Sequence, residues 1–234
     1  MSSSEARPTE RDLAVVLTSG GMDSCVTAAV AADRGYRLAM LHVNYGQRTE
    51  ARELISFHQL AGYYGAAERL VTDIRYLAAI GGSSLTDTAL PIDEPSAATV
   101  ASNDIPLTYV PFRNTHLISI AVSWAEVLHA RRIFIGVVEE DASGYPDCRS
   151  SYLAAMNEAI RLGTRPETDL QVEAPLIMLS KAEIVRLGTR LKAPFDLTWS
   201  CYRRDDVPCR NCLSCELRAR AFAEAGVADP LLAS

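Results

Sequence analysis

One stretch constrains the fold of this chain more than any other: Val15–Gly35, VVLTSGGMDSCVTAAVAADRG. An apolar, β-branched run ends in a Ser-Gly-Gly turn, and an alanine-rich segment closed by Gly35 follows. The order is strand, tight turn, helix. Gly20 and Gly21 can take positive φ and bring their amides to a ligand with no Cβ in the way. Successive amides and the first turn of a helix make an anion nest, to which the hydroxyls of Ser19 and Ser24 add donors. Thr18 and Met22 complete the candidate phosphate loop. Neither GxxxxGK[ST] nor GxGxxG occurs. The loop carries Asp23 where a lysine would be expected, and a carboxylate beside phosphate is repulsive unless a cation lies between them. Asp23 is therefore expected to meet Mg²⁺ or to cap the helix.

The rest of the chain repeats the alternation. Strands are expected at Asp12–Thr18, Arg37–Gly46, Glu68–Ile74 and Arg131–Val138, with a short one near Val172. Helices are expected from about Ser24 to Arg34, Thr49 to Gly65, Asn114 to His129 and Ser150 to Leu162. Two more open at Ser180 and near Leu213, the last running to Ala225. Residues 81–107 are rich in Ser, Thr, Asp, Pro and Gly, and a loop that long in a compact domain is usually functional or mobile. The pattern predicts an α/β fold, a parallel sheet with helices on both faces. Residues 1–10 read as a flexible tail, 11–195 as the nucleotide-binding domain and 196–234 as a smaller C-terminal segment.

With 48% apolar and 22% charged residues, a sizeable core is within reach. The net charge of −6 argues against a general nucleic-acid binder. The N-terminus MSSSEARPTERD has no apolar core for a signal peptide, and no run approaches the ~20 residues of a membrane span. The expected address is the cytoplasm, where six cysteines are expected as thiols. Cys201, Cys209, Cys212 and Cys215 form C-x7-C-x2-C-x2-C on a polar segment, a ligand set for one tetrahedral Zn²⁺. All four positions are cysteine, so the zinc is expected to be structural and to pin a tail too polar to bury itself. Cys25 reads as a core residue. Cys148 reads as a packing or substrate-contact residue, with persulfide chemistry as the rival.

Three further motifs carry chemistry. VPFRN places Arg113 and Asn114 just before a helix. DASGYPDCR combines Tyr145, Asp147 and Arg149 in one loop. PLIMLSKAEI puts Lys181 in the first turn of a helix, where its charge opposes the dipole unless an anion also binds there.

SGGMDS resembles the pyrophosphate loop of the N-type ATP pyrophosphatases, α/β enzymes that split ATP into AMP and pyrophosphate. Taken in order, SGGMDS, NYGQR, TYVPFRN, SGYPDCR, PLIMLSKAEI and TWSCY…CRNCLSCELR resemble the 7-cyano-7-deazaguanine synthase family of queuosine biosynthesis, from about Leu13 to Phe222. The resemblance implies a Rossmann-like PP-loop domain with a small zinc-binding segment held by four cysteines. It implies a homodimer that turns 7-carboxy-7-deazaguanine and ammonium into the nitrile, using ATP with Mg²⁺. Thr18–Ser24 would hold ATP, and Asp23, Arg113 and Lys181 would serve catalysis by countering phosphate charge. Arg113, Asn114, Tyr145, Asp147 and Arg149 would hold the deazaguanine, Tyr145 by stacking and Asp147 by accepting the paired N–H and NH₂ of its edge. Phe112 departs from the family, where many relatives have glycine. A ligase joining the same carboxylate to another amine is the nearest alternative, since its activation step is the same. A tRNA sulfur-transfer enzyme is the more distant one.

Overall fold

The computed structural model describes residues 12–92, 105–139 and 145–232. The expected tail, part of the 81–107 loop and residues 140–144 of the DASGYPDCR loop lie outside the described residues. Five strands form one sheet: β1 (Leu13–Leu17), β2 (Arg37–Asn44), β3 (Glu68–Asp73), β4 (Arg132–Phe134) and β5 (Gln171–Glu173). All pairings are parallel and the order is β3-β2-β1-β4-β5, with Val15 of the central strand opposite Ala39 on one side and Ile133 on the other. The helices are α1 (Met22–Asp33), α2 (Glu50–Tyr63), α3 (Tyr76–Ile80), α4 (Arg113–Leu128), α5 (Ser150–Gly163), α6 (Lys181–Arg190) and α7 (Leu213–Ala225).

The period of two along β1 sorts these helices. Val15 and Leu17 join a core with Ile118 and Ala121 of α4 and Leu153 and Ile160 of α5. Ala14 and Val16 face the other way, with Ala28 of α1 and Phe57 and Leu60 of α2. Each face of the sheet is thus covered, which is why β1 and β2 read as continuous apolar runs. β3 lies at an edge and alternates in burial, as its mixed sequence ERLVTD demands. A third core joins α1, α6 and α7 through Val26, Ile184, Val185, Phe195 and Phe222.

The expected strand Arg131–Val138 is cut short at Phe134. Ile135 still donates to Glu173 O at 2.9 Å, but Gly136 then passes under the first turn of α1. A Cβ there would lie 3.0 Å from the Asp23 carbonyl carbon and the Ser24 nitrogen, so the backbone leaves the ladder to make room for the loop. The five-residue α3 has no sequence counterpart, being too short to show a period. Ser180 opens α6 with a full capping box: its Oγ accepts from Glu183 N, and Glu183 accepts from Ser180 N at 2.8 Å.

Where α6 crosses α1, Gly188 leaves no space for a side chain. A Cβ would meet Phe195 Cζ at 2.4 Å and Val26 Cγ2 at 2.7 Å, and the Phe195 ring is itself held edge-on to Phe222 at 5.2 Å. Gly188→Ala gains about 1 kcal/mol of helix propensity but overpacks this contact by about 1–3 kcal/mol. The variant is expected to unfold at lower urea concentration than the wild type, with an unchanged slope.

Candidate active site

The sheet order reverses between β1 and β4, and a cleft of about 700 Å³ opens there, at the C-terminal ends of β1, β2 and β4. Its floor is the loop after β1. Gly20 adopts φ +86°, and a Cβ would fall 2.7 Å from Glu53 O and 2.9 Å from Ser56 Cβ. Only glycine fits against α2 in this conformation. Gly21, by contrast, is extended and forms the N-cap of α1, so only one of the two glycines takes positive φ. Gly21 N donates to Ser19 Oγ at 3.2 Å, Ser19 Oγ donates to Ser24 Oγ at 3.2 Å, and Ser24 Oγ donates to Gly21 O at 3.0 Å. Ser19 and Ser24 therefore brace the loop from inside. Thr18 is buried and its hydroxyl is turned back to Val16 O.

Asp23 does not cap the helix. Its Oδ2 receives Lys181 Nζ at 2.7 Å, a contact between residues 158 positions apart, with side-chain exposures of 25% and 16%. Asp23 Oδ1 is buried without a hydrogen-bond partner, an oxygen suited to a divalent cation. The cation missing from the loop is thus delivered by the first residue of α6.

Arg113 begins α4 on another wall of the cleft. Its Nη1 donates to Tyr45 Oη at 3.1 Å, and its guanidinium carbon lies 5.1 Å from the Tyr45 ring centre. Burial works against its charge, but Tyr45, Tyr145, Asp147 and Cys148 around it hold its pKa above the ordinary arginine value. Arg113 Nε is buried with no hydrogen-bond partner. Tyr145 also lines the cleft, its hydroxyl 2.6 Å from Thr108 Oγ1 and its ring 5.8 Å from that of Tyr109. Phe112 precedes Arg113 with φ +59°, the left-handed region where glycine would be unstrained. Its ring is more than half exposed, so the departure from glycine costs backbone strain and leaves the Arg113 side chain in the cleft.

The other expected substrate residues are divided. Asn114 reaches the cleft lining, while its amide nitrogen donates to Asp147 O at 3.1 Å and to Cys148 Sγ at 3.3 Å. Asp147 is buried away from the lining, and its Oδ2 accepts the backbone N–H of Asn114 at 3.0 Å. Arg149 is exposed ahead of α5 and also lies outside the lining. Cys148 is buried. Cys25 is a core residue whose thiol burial pushes up to about 12.

The four clustered cysteines meet in space. Their sulfurs all lie within 4.8 Å of one another, Cys209 and Cys215 at 4.0 Å. A tetrahedral metal with ~2.3 Å bonds to sulfur sets its ligands about 3.8 Å apart, so the cluster can hold a metal ion with little adjustment. Arg203 N and Cys209 N both donate to Cys201 Sγ at 3.4 Å, as amides do around a thiolate. The segment is more than a staple, because Cys201, Tyr202 and Ser214 line the cleft. Trp199 N donates to Gly20 O at 2.9 Å, and Arg52 of α2 sits 4.6 Å over the Trp199 ring. Residue-type reasoning did not single out Tyr45, Thr108, Glu53 or Trp199, although three of them stand in or beside the quoted motifs NYGQR, TYVPFRN and TWSCY. Among the described residues, no helix is long and apolar enough to cross a membrane.

Residues 13–226 match the family described as queuosine biosynthesis protein QueC. The chain is 53% identical over 218 residues to a 7-cyano-7-deazaguanine synthase of Chloroherpeton thalassium, spanning 93% of this chain and 95% of that one. Relatives of the same name from Chlorobium phaeobacteroides and Chlorobaculum parvum are 56% and 54% identical over the same share of each chain. With its phosphate loop, its imported lysine and its cysteine cluster in one continuous match, this chain belongs to the QueC family of 7-cyano-7-deazaguanine synthases.

Proposed function

We propose that the chain converts 7-carboxy-7-deazaguanine and free ammonium into 7-cyano-7-deazaguanine in two ATP-dependent steps, each releasing AMP and pyrophosphate. The observation that carries this reading is the convergence of the Thr18–Ser24 loop, the Asp23–Lys181 pair and Arg113 on one cleft. A carboxylate has no acceptable leaving group until its oxygen attacks the α-phosphorus of ATP and becomes an acyl-adenylate. The loop amides then receive the departing pyrophosphate, and Lys181 and Arg113 offset its charge. Ammonia displaces AMP to give the amide. The amide oxygen is adenylated in turn, and loss of AMP leaves the nitrile. Positioning and charge neutralisation supply most of the rate, so no nucleophilic side chain is needed.

The partnerless Asp23 Oδ1 supports Mg²⁺ accompanying ATP, where the ion would neutralise phosphate oxygens. Tyr145 is assigned to stacking on the deazaguanine, with Asn114 nearby. Asp147 is assigned to fixing the start of α4, and through it Arg113, since one of its oxygens is spent on Asn114 N. The four thiolates support a structural Zn²⁺, a closed site with no open position. The same reading takes the enzyme to work in the cytoplasm as a homodimer on small molecules, in keeping with its net charge of −6.

The test is incubation with 7-carboxy-7-deazaguanine, ATP, Mg²⁺ and ammonium, with mass detection of amide and nitrile and chromatography of AMP. Both products and AMP are expected; an enzyme that releases no AMP sinks the reading. Asp23→Ala is expected to fold as the wild type by circular dichroism and to lose at least about 100-fold in AMP release. For the metal, elemental analysis of purified protein should give one zinc per chain. Cys212→Ser should lose it and melt several degrees lower; a metal-free wild type of full stability would refute the zinc assignment.

A further inference from the structure

The chemistry above leaves protons unassigned. Ammonium must lose one before its nitrogen can attack and a second before the amide is complete, and the amide nitrogen must lose both of its own before the nitrile exists. Most acid–base candidates lining the cleft are already committed. Asp23 is held by Lys181, and His42 has Thr18 O at 2.9 Å on one ring nitrogen and Asn44 Oδ1 at 3.0 Å on the other. Glu224 stands on α7 beside Arg220, with 3.8 Å between their charged atoms. The remaining carboxylate in the lining is Glu53.

Glu53 is built into position. Its Oε1 accepts Thr49 Oγ1 at 2.8 Å and its Oε2 accepts Gln47 Nε2 at 3.0 Å, both neutral donors that leave each oxygen a further lone pair. Gln47 is nearly fully buried and oriented by Tyr45 N, which donates to its Oε1 at 2.9 Å. Tyr45 in turn receives Arg113 through its hydroxyl. The backbone carbonyl of the same Glu53 is the atom against which Gly20 is packed. One hydrogen-bonded chain, Arg113–Tyr45–Gln47–Glu53, therefore ties this carboxylate both to the phosphate loop and to the arginine across the cleft. That gives the NYGQR motif a purpose beyond its turn.

We propose that Glu53 is the proton acceptor for the reacting nitrogen in both halves of the reaction, which rests on the function proposed above. In the first half it takes one proton from ammonium, freeing the lone pair that attacks the acyl-adenylate. After releasing that proton to water it takes a second from the resulting C–NH3+ adduct, as the C–O bond breaks and AMP leaves with its electrons. In the second, Glu53 first takes one proton from the adenylated amide, leaving the neutral imidate, and passes it to water. Glu53 then takes the last N–H proton; that bond's electron pair becomes the new C–N π bond, the C–O bond breaks, and AMP leaves with its electrons. Each proton passes from Glu53 to water at the cleft mouth. The surroundings of the group suit it to this role. Burial pushes its carboxyl up to about 7, against the downward pull of the Thr49 and Gln47 hydrogen bonds and of Arg113. Glu50 on the same helix adds to the rise, and Tyr45 faces it from the turn after β2. The Gly20 backbone, packed against the Glu53 carbonyl, brings no charge.

The full-length wild type and Glu53→Gln are compared in single turnovers from about pH 6 to about pH 9, starting from the carboxylate with ammonium or from 7-amido-7-deazaguanine. Hydroxylamine, a far weaker base than ammonia and mostly neutral over the upper part of this range, reports acyl-adenylate formation independently as hydroxamate. The wild-type amide-to-nitrile rate is expected to rise with pH through about 7, as the carboxyl of Glu53 ionises. Glu53→Gln is expected to lose that rise and at least about 100-fold in nitrile rate, with hydroxamate formation and melting temperature held. A variant with the wild-type nitrile rate and pH profile overturns the proposal. So does one in which hydroxamate and nitrile fall together, or in which the substrate KM rises with kcat kept; these mark a scaffold role and a reader of the purine edge. Absence of AMP release from the wild type is a different result and overturns the proposed function along with it.

Discussion

Everything at the active end of this molecule is arranged around one residue with no side chain. Gly20 is pressed so closely against α2 that its missing Cβ would overlap a backbone carbonyl, and its own carbonyl is taken by Trp199 from the far end of the chain. The loop is therefore clamped between the N-terminal half of α2 and the cysteine-bearing segment. From inside, the Ser19 and Ser24 hydroxyls hold the same turn. A nest that is already formed spends none of its binding energy on folding itself, which is the condition for electrostatic stabilisation of a departing anion.

Charge in the cleft follows the same logic. Asp23 would repel a nucleotide if it stood alone, and Lys181 would oppose the dipole of α6 if it stood alone. Brought to 2.7 Å, each removes the other's difficulty. Arg113 is treated differently. It is held above a tyrosine ring and hydroxyl rather than in contact with a carboxylate, and its Nε has no hydrogen-bond partner. The Asp23–Lys181 pair and Arg113 thus reach one cleft from separate elements.

Much of this could be read from the residues. β1 and β2 announce themselves because burial on both faces demands unbroken apolar runs. SGGMDS and the cysteine spacing depend on local geometry that short stretches of sequence encode. The end of β4 could not be read, because what stops it at Phe134 is the first turn of α1, more than a hundred residues upstream. The sources of cation and wall were legible only as suspicious residues: Lys181 looks misplaced until Asp23 stands beside it. Glu53 draws no attention, since an acid in the first turns of a helix is ordinary until its surroundings close over it. Asp147 is the reverse case. In the sequence it looks like a reader of substrate, and in three dimensions one of its oxygens is already bonded to the start of α4.

The lateness of Lys181 and Trp199 has a consequence for the order in which the protein comes off the ribosome. The fifth strand ends at Glu173, so every strand of the sheet has been synthesised before the chain reaches either residue. Beyond them, Arg218 must still be buried against Asp229, Thr198 and the Phe195 carbonyl to seat the final helix. A nascent chain can thus finish its sheet while the phosphate loop still lacks its cation and its clamp. The loop's cation and its clamp are among the last parts of the site to be made, after the whole of the sheet they serve.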